Sequence, residues 1–241
     1  MTFDVVQNDI TNMSVDAIVL PANEKLREGS GTSRAIFGKA GRKELTRACK
    51  ELRSCRVGEA VPTRAFNLDA NYIIHAVVPK WIDGGHNEYE YLSAAYLSAL
   101  KVADIMNCQS IAFPLLASGN NGFDLNLAFE IAKESITAFV ANNLKNVYLV
   151  IYGDTIATFL QGKGVTVINL QHDDKLCKDD GSLKNILVQL YDEGKELAIK
   201  VLEDEIANAI EYLKDPENRK QLVDKGFVIA KFVINLTKKM K

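Results

Sequence analysis

Two glycine-rich stretches hold the residues of this chain best suited to chemistry: Gly29-Ser-Gly-Thr-Ser33 and Ser118-Gly-Asn-Asn-Gly122. The second follows the apolar run Phe113-Pro-Leu-Leu-Ala117 and precedes a helical pattern that begins near Asn126. A strand that ends in glycines ahead of a helix presents backbone N–H groups to an anion. Glycine permits the close approach and the backbone angles that other residues resist. The first stretch has the same setting, after an earlier strand and before another helix. Two such loops point to a nucleotide diphosphate rather than a lone phosphate. They say more about what is bound than about whether a bond is cut.

The elements that must position these loops are legible from periodicity. Short β-branched or aromatic-rich runs at 3–6, 16–20, 72–78, 110–114, 147–152 and 165–170 read as strands. Segments 33–52, 89–106 and 126–142 carry apolar residues three and four apart and read as helices. This alternation predicts a layered α/β domain over residues 1–172 with a parallel or mixed sheet. A polar, charged stretch ending at Gly181 follows and reads as a linker. Beyond it Leu183, Ile186, Leu187, Leu190, Leu197 and Val201 begin an amphipathic pattern that Asp215-Pro216 breaks. Residues 173–241 are therefore expected to form an α-helical extension. At about seventy residues it is marginal as an independent core and should pack on the main domain or make a protein–protein or homo-oligomeric contact.

Bulk composition excludes several classes. The 241 residues are 47% hydrophobic and 25% charged, with a net charge of −2, which gives no overall electrostatic footprint for nucleic acid. The basic stretch from Arg34 to Arg47 is diluted by Glu44 and reads as a solvated helix face. Four scattered cysteines and three histidines show no metal-ligand spacing, so neither a metal nor a cofactor is expected. The cysteines read as reduced thiols in a cytoplasmic protein. The chain opens without a basic, apolar leader. The apolar run 226–236 is interrupted by Lys231, whereas a membrane span needs about 20 largely apolar residues. No membrane association is expected.

Five ordered segments together resemble the macrodomains, a family that binds ADP-ribose. Asn8-Asp-Ile-Thr11 stands where the family has G-D-I-T, and Asp16-Ala-Ile-Val-Leu-Pro-Ala-Asn23 is similar to D-A-I-V-N-A-A-N. Gly29-Ser-Gly-Thr-Ser-Arg-Ala-Ile36 is similar to the glycine-rich first loop, G-G-G-V-D-x-A-I. Tyr72-Ile-Ile-His-Ala-Val-Val-Pro79 resembles I-I-H-x-V-G-P, and the run from Ser110 to Phe123 resembles S-I-A-F-P-x-I-S-T-G-x-Y-G-F. The resemblance covers residues 1–170. It implies a three-layer α/β/α macrodomain with a mixed central sheet, and a cleft at the C-terminal ends of the strands.

Carried over position by position, the resemblance implies a ligand site. Asp9, with Ile10, would meet adenine; on its own an Asp here more often caps a turn. Asn23 would contact the distal ribose, whose vicinal hydroxyls suit an amide that both donates and accepts, and Ala22 beside it is counted among the ligand-binding residues. Gly29, Ser30, Gly31 and Thr32 would wrap the diphosphate from one side, and Ser118, Gly119, Asn120, Asn121, Gly122 and Phe123 from the other. Tyr152 would pack near the adenine, and His75 reads as a satisfied core histidine.

The departures bear on catalysis. Hydrolytic relatives carry an aspartate where this chain has Ser33, and a hydroxyl cannot act as a carboxylate base. Asn121 replaces the aromatic of the second loop, and Pro21 the first Asn of N-A-A-N. Asn23 and Ser33 are the candidate catalytic positions, with Glu24 and Glu28 as nearby carboxylates. The reading is a protein that binds ADP-ribose or ADP-ribosylated protein, with hydrolysis of an ADP-ribosyl linkage or of O-acetyl-ADP-ribose as its enzymatic form. A non-catalytic reader and a phosphohydrolase acting on ADP-ribose 1''-phosphate are the alternatives.

Overall fold

The computed structural model describes residues 1–170. The helical extension expected over 173–241 lies outside them. Seven strands, β1 (Thr2–Gln7), β2 (Ala17–Ala22), β3 (Ala60–Arg64), β4 (Tyr72–Val77), β5 (Ser110–Pro114), β6 (Asn146–Ile151) and β7 (Val167–Asn169), form one sheet in the order β3-β4-β2-β5-β6-β1-β7. All pairings are parallel except β3 with β4. The helices are α1 (Thr32–Ala40), α2 (Arg42–Leu52), α3 (Glu88–Ile105), α4 (Leu125–Ala138) and α5 (Asp154–Gly162).

The period of two along the strands sorts the core into two layers. On β2, Ile18 and Leu20 pack with Ile36, Phe37, Ala40, Leu45 and Cys49 of α1 and α2. Ala17 and Val19 belong to the opposite cluster, with Leu92, Tyr96, Phe129 and Leu160 of α3, α4 and α5. The mixed sheet is thus covered on both faces, as the three-layer expectation requires.

Three elements escaped the periodicity. The segment 33–52 is two helices, because Gly41 takes φ 105, a conformation that L side chains rarely adopt. A Cβ there would also meet Glu44 at 3.0 Å and the Asn67 amide at 3.2 Å. Strand β3 contains Pro62, which an edge strand tolerates. Helix α5 is only nine residues long, too short to show a strong repeat.

The base of the sheet is stapled by Asp16. Its Oδ2 accepts from Gln109 N at 2.8 Å, Ser110 N at 3.0 Å and Ser110 Oγ at 3.1 Å, and its Oδ1 from Asn71 Nδ2 at 3.1 Å. One carboxylate therefore ties the starts of β4 and β5 to β2. The other end is less constrained. β2 stays in register with β4 from Ala17–Tyr72 to Ala22–Val77, but with β5 only at Ala17–Ile111 and Ile18–Ala112. Pro21 brings no N–H to a ladder at the upper end of β2.

His75 sits on β4 with no exposed surface, its Nε2 2.9 Å from Thr63 Oγ1. It is a core residue as expected, but only partly satisfied, since Nδ1 has no hydrogen-bond partner among the described residues. Burial pushes its pKa down from 6.5 to about 4. The folded state favours the neutral ring, so this contribution to stability is complete above pH 6.5 and drains away as pH falls toward 4. A shift of this size corresponds to roughly 3 kcal/mol. Denaturant unfolding should show a loss of about 2–3 kcal/mol between pH 7 and pH 4.5, much reduced in His75→Gln. A wild-type profile that is flat over this interval would contradict the assignment.

Candidate functional site

Adjacent strands β2 and β5 send their following helices to opposite faces of the sheet, α1 into one core layer and α4 into the other. A crevice must open where connections diverge in this way, beyond the carboxyl ends of the strands. Both glycine-rich stretches lie there, 29–33 after β2 and 118–122 after β5. Their tips meet: Asn120 Nδ2 donates to Ser30 Oγ at 2.6 Å, and both residues are exposed.

The first loop is fastened at several points. Asn23 accepts from Arg27 N at 3.2 Å and donates to Arg27 O at 2.7 Å, closing a five-residue turn. Glu28 is gripped by the Arg42 guanidinium, with contacts of 2.7 and 3.1 Å. Ser33 is buried, and its Oγ accepts from Gly29 N at 3.0 Å. Gly31 precedes α1 at φ 54, ψ −128, with open space where a Cβ would lie. Among the described residues no side chain caps α1. Its first N–H groups and the positive end of its dipole are therefore available to an anion. Helix α4 differs, because Asp124 accepts from Asn126 N and Leu127 N and uses up those donors. Of the two helices that follow the loops, only α1 offers its start to a phosphate.

The second loop is braced from below. Ser118 Oγ donates to Leu115 O at 2.9 Å, and Ala117 takes φ 64. Gly122 N donates to Gly119 O at 2.9 Å. Asn121, expected to close over the ligand, donates its side-chain Nδ2 to Pro79 O at 2.7 Å, while its backbone carbonyl accepts from Trp81 N at 2.8 Å. Phe123 also faces inward: it is buried and meets Trp81 edge-on at 5.1 Å. The large ring finds more apolar surface beneath the loop than above it. Gly119 and Gly122 are exposed and Ser118 half-buried.

At the far end of the crevice, Gln7 and Ile151 are in register, so Asn8–Asp9 and Tyr152 leave neighbouring strands side by side. Asp9 Oδ1 accepts from Thr11 N at 2.9 Å and Thr11 Oγ1 at 2.8 Å, capping a short turn. Its Oδ2 accepts nothing among the described residues. Ile10 is buried, and Tyr152 is 72% exposed, so it is no core residue. Ala22 is buried at the end of β2.

Sequence reasoning missed the brace itself. Glu88 is buried, and its carboxylate accepts from Ile82 N, Asp83 N, Gly84 N and His86 N at 2.6–3.2 Å. Burial pushes its pKa up, but these backbone bonds outweigh it and hold the group at about 2. The ring of donors fixes the segment that carries Pro79 and Trp81 under the second loop. Asp83, His86 and Glu88 place ligand atoms within 4.8 Å of one another, a spacing that can hold an ion. Their oxygens already serve the loop: Asp83 Oδ1 takes Gly85 N at 2.8 Å and lies 3.0 Å from His86 Nδ1. The turn Gly84-Gly85 before a helix was the one available signal.

Comparison with known proteins follows the same outline. The Macro domain family pattern matches residues 19–132. The chain is similar to an O-acetyl-ADP-ribose deacetylase of Escherichia fergusonii, 42% identical over 156 residues, 62% of this chain and 88% of that protein. A macro domain-containing protein of Chlorobaculum tepidum is 40% identical over 137 residues, 57% of this chain and 79% of that one. Among solved structures, the Oceanobacillus iheyensis macrodomain with ADP superposes with a TM-score of 0.61 at 31% identity, covering 65% of this chain and 86% of that one. The Trypanosoma brucei macrodomain in complex with ADP-ribose gives a TM-score of 0.61 at 25% identity, covering 67% and 68%.

The loop-to-loop bond and the brace make separable predictions. In native-state hydrogen exchange, Asn120→Ala and Ser30→Ala should each speed exchange of the loop amides 118–122 by about two- to tenfold, the range of one net hydrogen bond, with the melting temperature little changed. Glu88→Gln should instead lower the melting temperature. An unchanged melting temperature would remove Glu88 from the brace.

Proposed function

The chain belongs to the macro domain family, and from that premise we propose that it recognises ADP-ribose, free or carried by a macromolecule, in the crevice between β2 and β5. The observation that carries this reading is the pair of glycine-rich loops on diverging neighbour strands, joined at their tips, with the uncapped start of α1 beneath the first. The diphosphate would lie between the loops and along the N-terminus of α1. The adenine would lie between Asp9, whose free oxygen can accept from its amino group, and the exposed ring of Tyr152. Asn23 would face the distal ribose with the donor and acceptor capacity left over from its bonds to Arg27.

Recognition is better supported than turnover. Ser33 offers a neutral hydroxyl that is buried and bonded to the loop backbone. Glu28, the carboxylate nearest the glycines in sequence, is occupied by Arg42. Glu24 is the remaining carboxylate of the first loop and is exposed. Hydrolysis of an acyl linkage, as in the Escherichia fergusonii deacetylase, is the second reading. It would need Glu24, or an ordered water, to do what a loop aspartate does elsewhere. We also place the protein in the cytoplasm, where the buried free thiols Cys49, Cys55 and Cys108 would stay reduced.

Isothermal titration with ADP-ribose, with AMP and GDP-mannose as controls, tests the reading. ADP-ribose alone should bind, and Asn23→Ala should weaken it about tenfold, the cost of one or two hydrogen bonds. If the protein also turns over O-acetyl-ADP-ribose, that variant should lose rate as well as affinity. Equal binding of all three compounds would overturn the adenine and ribose assignments.

A further inference from the structure

The end of the crevice that holds Asp9 and Tyr152 is built from two strand exits that no shared loop joins. β1 and β6 finish in register at Gln7 and Ile151, and just beyond the ladder Asn8 N donates to Ile151 O at 3.1 Å. Past that point the two segments part. On the β1 side the turn is held by its own side chains. Asn8 Oδ1 accepts from Asp9 N at 2.8 Å, and Asn8 Nδ2 lies 3.6 Å from the sulfur of the buried Met13. Asp9 then caps the short turn through Thr11.

Among the described residues the β6 side has no such fastening of its own. Tyr152 leads directly into Gly153, whose φ of 87 and ψ of 155 are open to glycine and resisted by other residues. A Cβ on Gly153 would meet nothing within 4 Å, so packing does not hold the backbone there. Gly153 is also the N-cap of α5 and brings no side chain to close the helix. The tie comes instead from Gln7, which is buried at the end of β1. Alternation puts it on the face of Val5, in the core layer that contains Ala157 and Leu160 of α5. Its Nε2 donates to Asp154 Oδ1 at 2.8 Å, across 147 positions of the chain. An apolar side chain would fill that place as Val5 does below it, whereas a buried amide loses hydration that only a partner offsets. The start of α5 is thereby tied to the strand that carries Asp9 two positions further on.

We propose that Gln7 and Asp154 are positioning residues: their bond fixes Tyr152 opposite Asp9 and so sets how strictly the base is chosen, with neither side chain meeting the ligand. The proposal rests on the ADP-ribose reading above and adds to it two residues that act through others. The free oxygen of Asp9 and the exposed ring of Tyr152 can serve one base only while the two exits keep their spacing. With the tie removed, Gly153 lets Tyr152 swing and the base slides away from the carboxylate. Stacking on a ring tolerates any base, but a hydrogen bond to a carboxylate does not. The loss therefore falls on the choice between bases more than on binding as such.

The test titrates the full chain with ADP-ribose and with inosine diphosphate ribose, whose base carries a carbonyl where adenine has its amino group. The wild type should prefer ADP-ribose by at least about tenfold, because a carbonyl has nothing to donate to Asp9. Gln7→Leu and Asp154→Ala should each shrink that preference by about three- to tenfold, and the double change should shrink it no further. Asp154→Asn keeps an acceptor for Gln7 while removing the charge from the first turn of α5, so it should retain the preference. Any fall in melting temperature that comes from the helix dipole should be common to Asp154→Ala and Asp154→Asn. Hydrogen exchange of amides 152–155 should quicken several-fold in Gln7→Leu and Asp154→Ala but not in Asp154→Asn. A preference that survives Gln7→Leu would overturn the proposal, as would one lost equally in Asp154→Asn and Asp154→Ala. A wild type that binds both compounds equally would instead sink the adenine reading, and this role with it.

Discussion

Two parallel neighbours that share only two register pairs before parting, β2 and β5, determine where everything else in this protein must lie. Asp16 holds their bases together, and their upper ends share no register pair among the described residues. Because their helices pack into opposite core layers, the connections must separate, and the space between them cannot be filled by either layer. The crevice is thus a consequence of topology and exists before any particular loop residue is chosen.

Loop chemistry then decides what the crevice can hold. Backbone donors are kept free on one side, at the uncapped start of α1, and consumed on the other by Asp124. Side chains that elsewhere would act on a ligand are here turned to the protein itself. Asn121 holds Pro79, Ser33 holds Gly29, and Arg42 occupies Glu28. Each of these bonds rigidifies a loop and removes a reactive group from reach. Two loops held rigid by their own bonds are the result, and the proposed diphosphate would enter between them with little reorganisation. The same bonds explain why recognition outweighs turnover in the reading of this site.

Bracing also links the site to stability. Glu88 has no direct access to the crevice, yet four backbone N–H groups converge on it and set the segment on which the second loop rests. Trp81 passes that support to Phe123 through edge-on ring contacts. The two sides of the site therefore differ in character, one braced by buried polar and aromatic contacts and one fastened by bonds within the first loop and by the Arg42–Glu28 pair.

Six of the seven strands, the two glycine loops and the family were legible in the sequence, because each depends on residues close together in the chain. Alternating apolar residues specify Ile18 and Leu20 against Ala17 and Val19, and Gly29 and Gly31 announce a backbone that approaches an anion. Short or atypical elements, such as β3 with Pro62 and α5, gave too few residues for a period to emerge. What tertiary structure alone decided are the partners across long separations. Asn120 meets Ser30 ninety positions away, Glu28 is claimed by Arg42, and Phe123 turns beneath its loop. Such choices follow from which helix packs on which face and which side chain wins each donor. No local pattern carries that information, because the competing partners are brought within reach only by the fold.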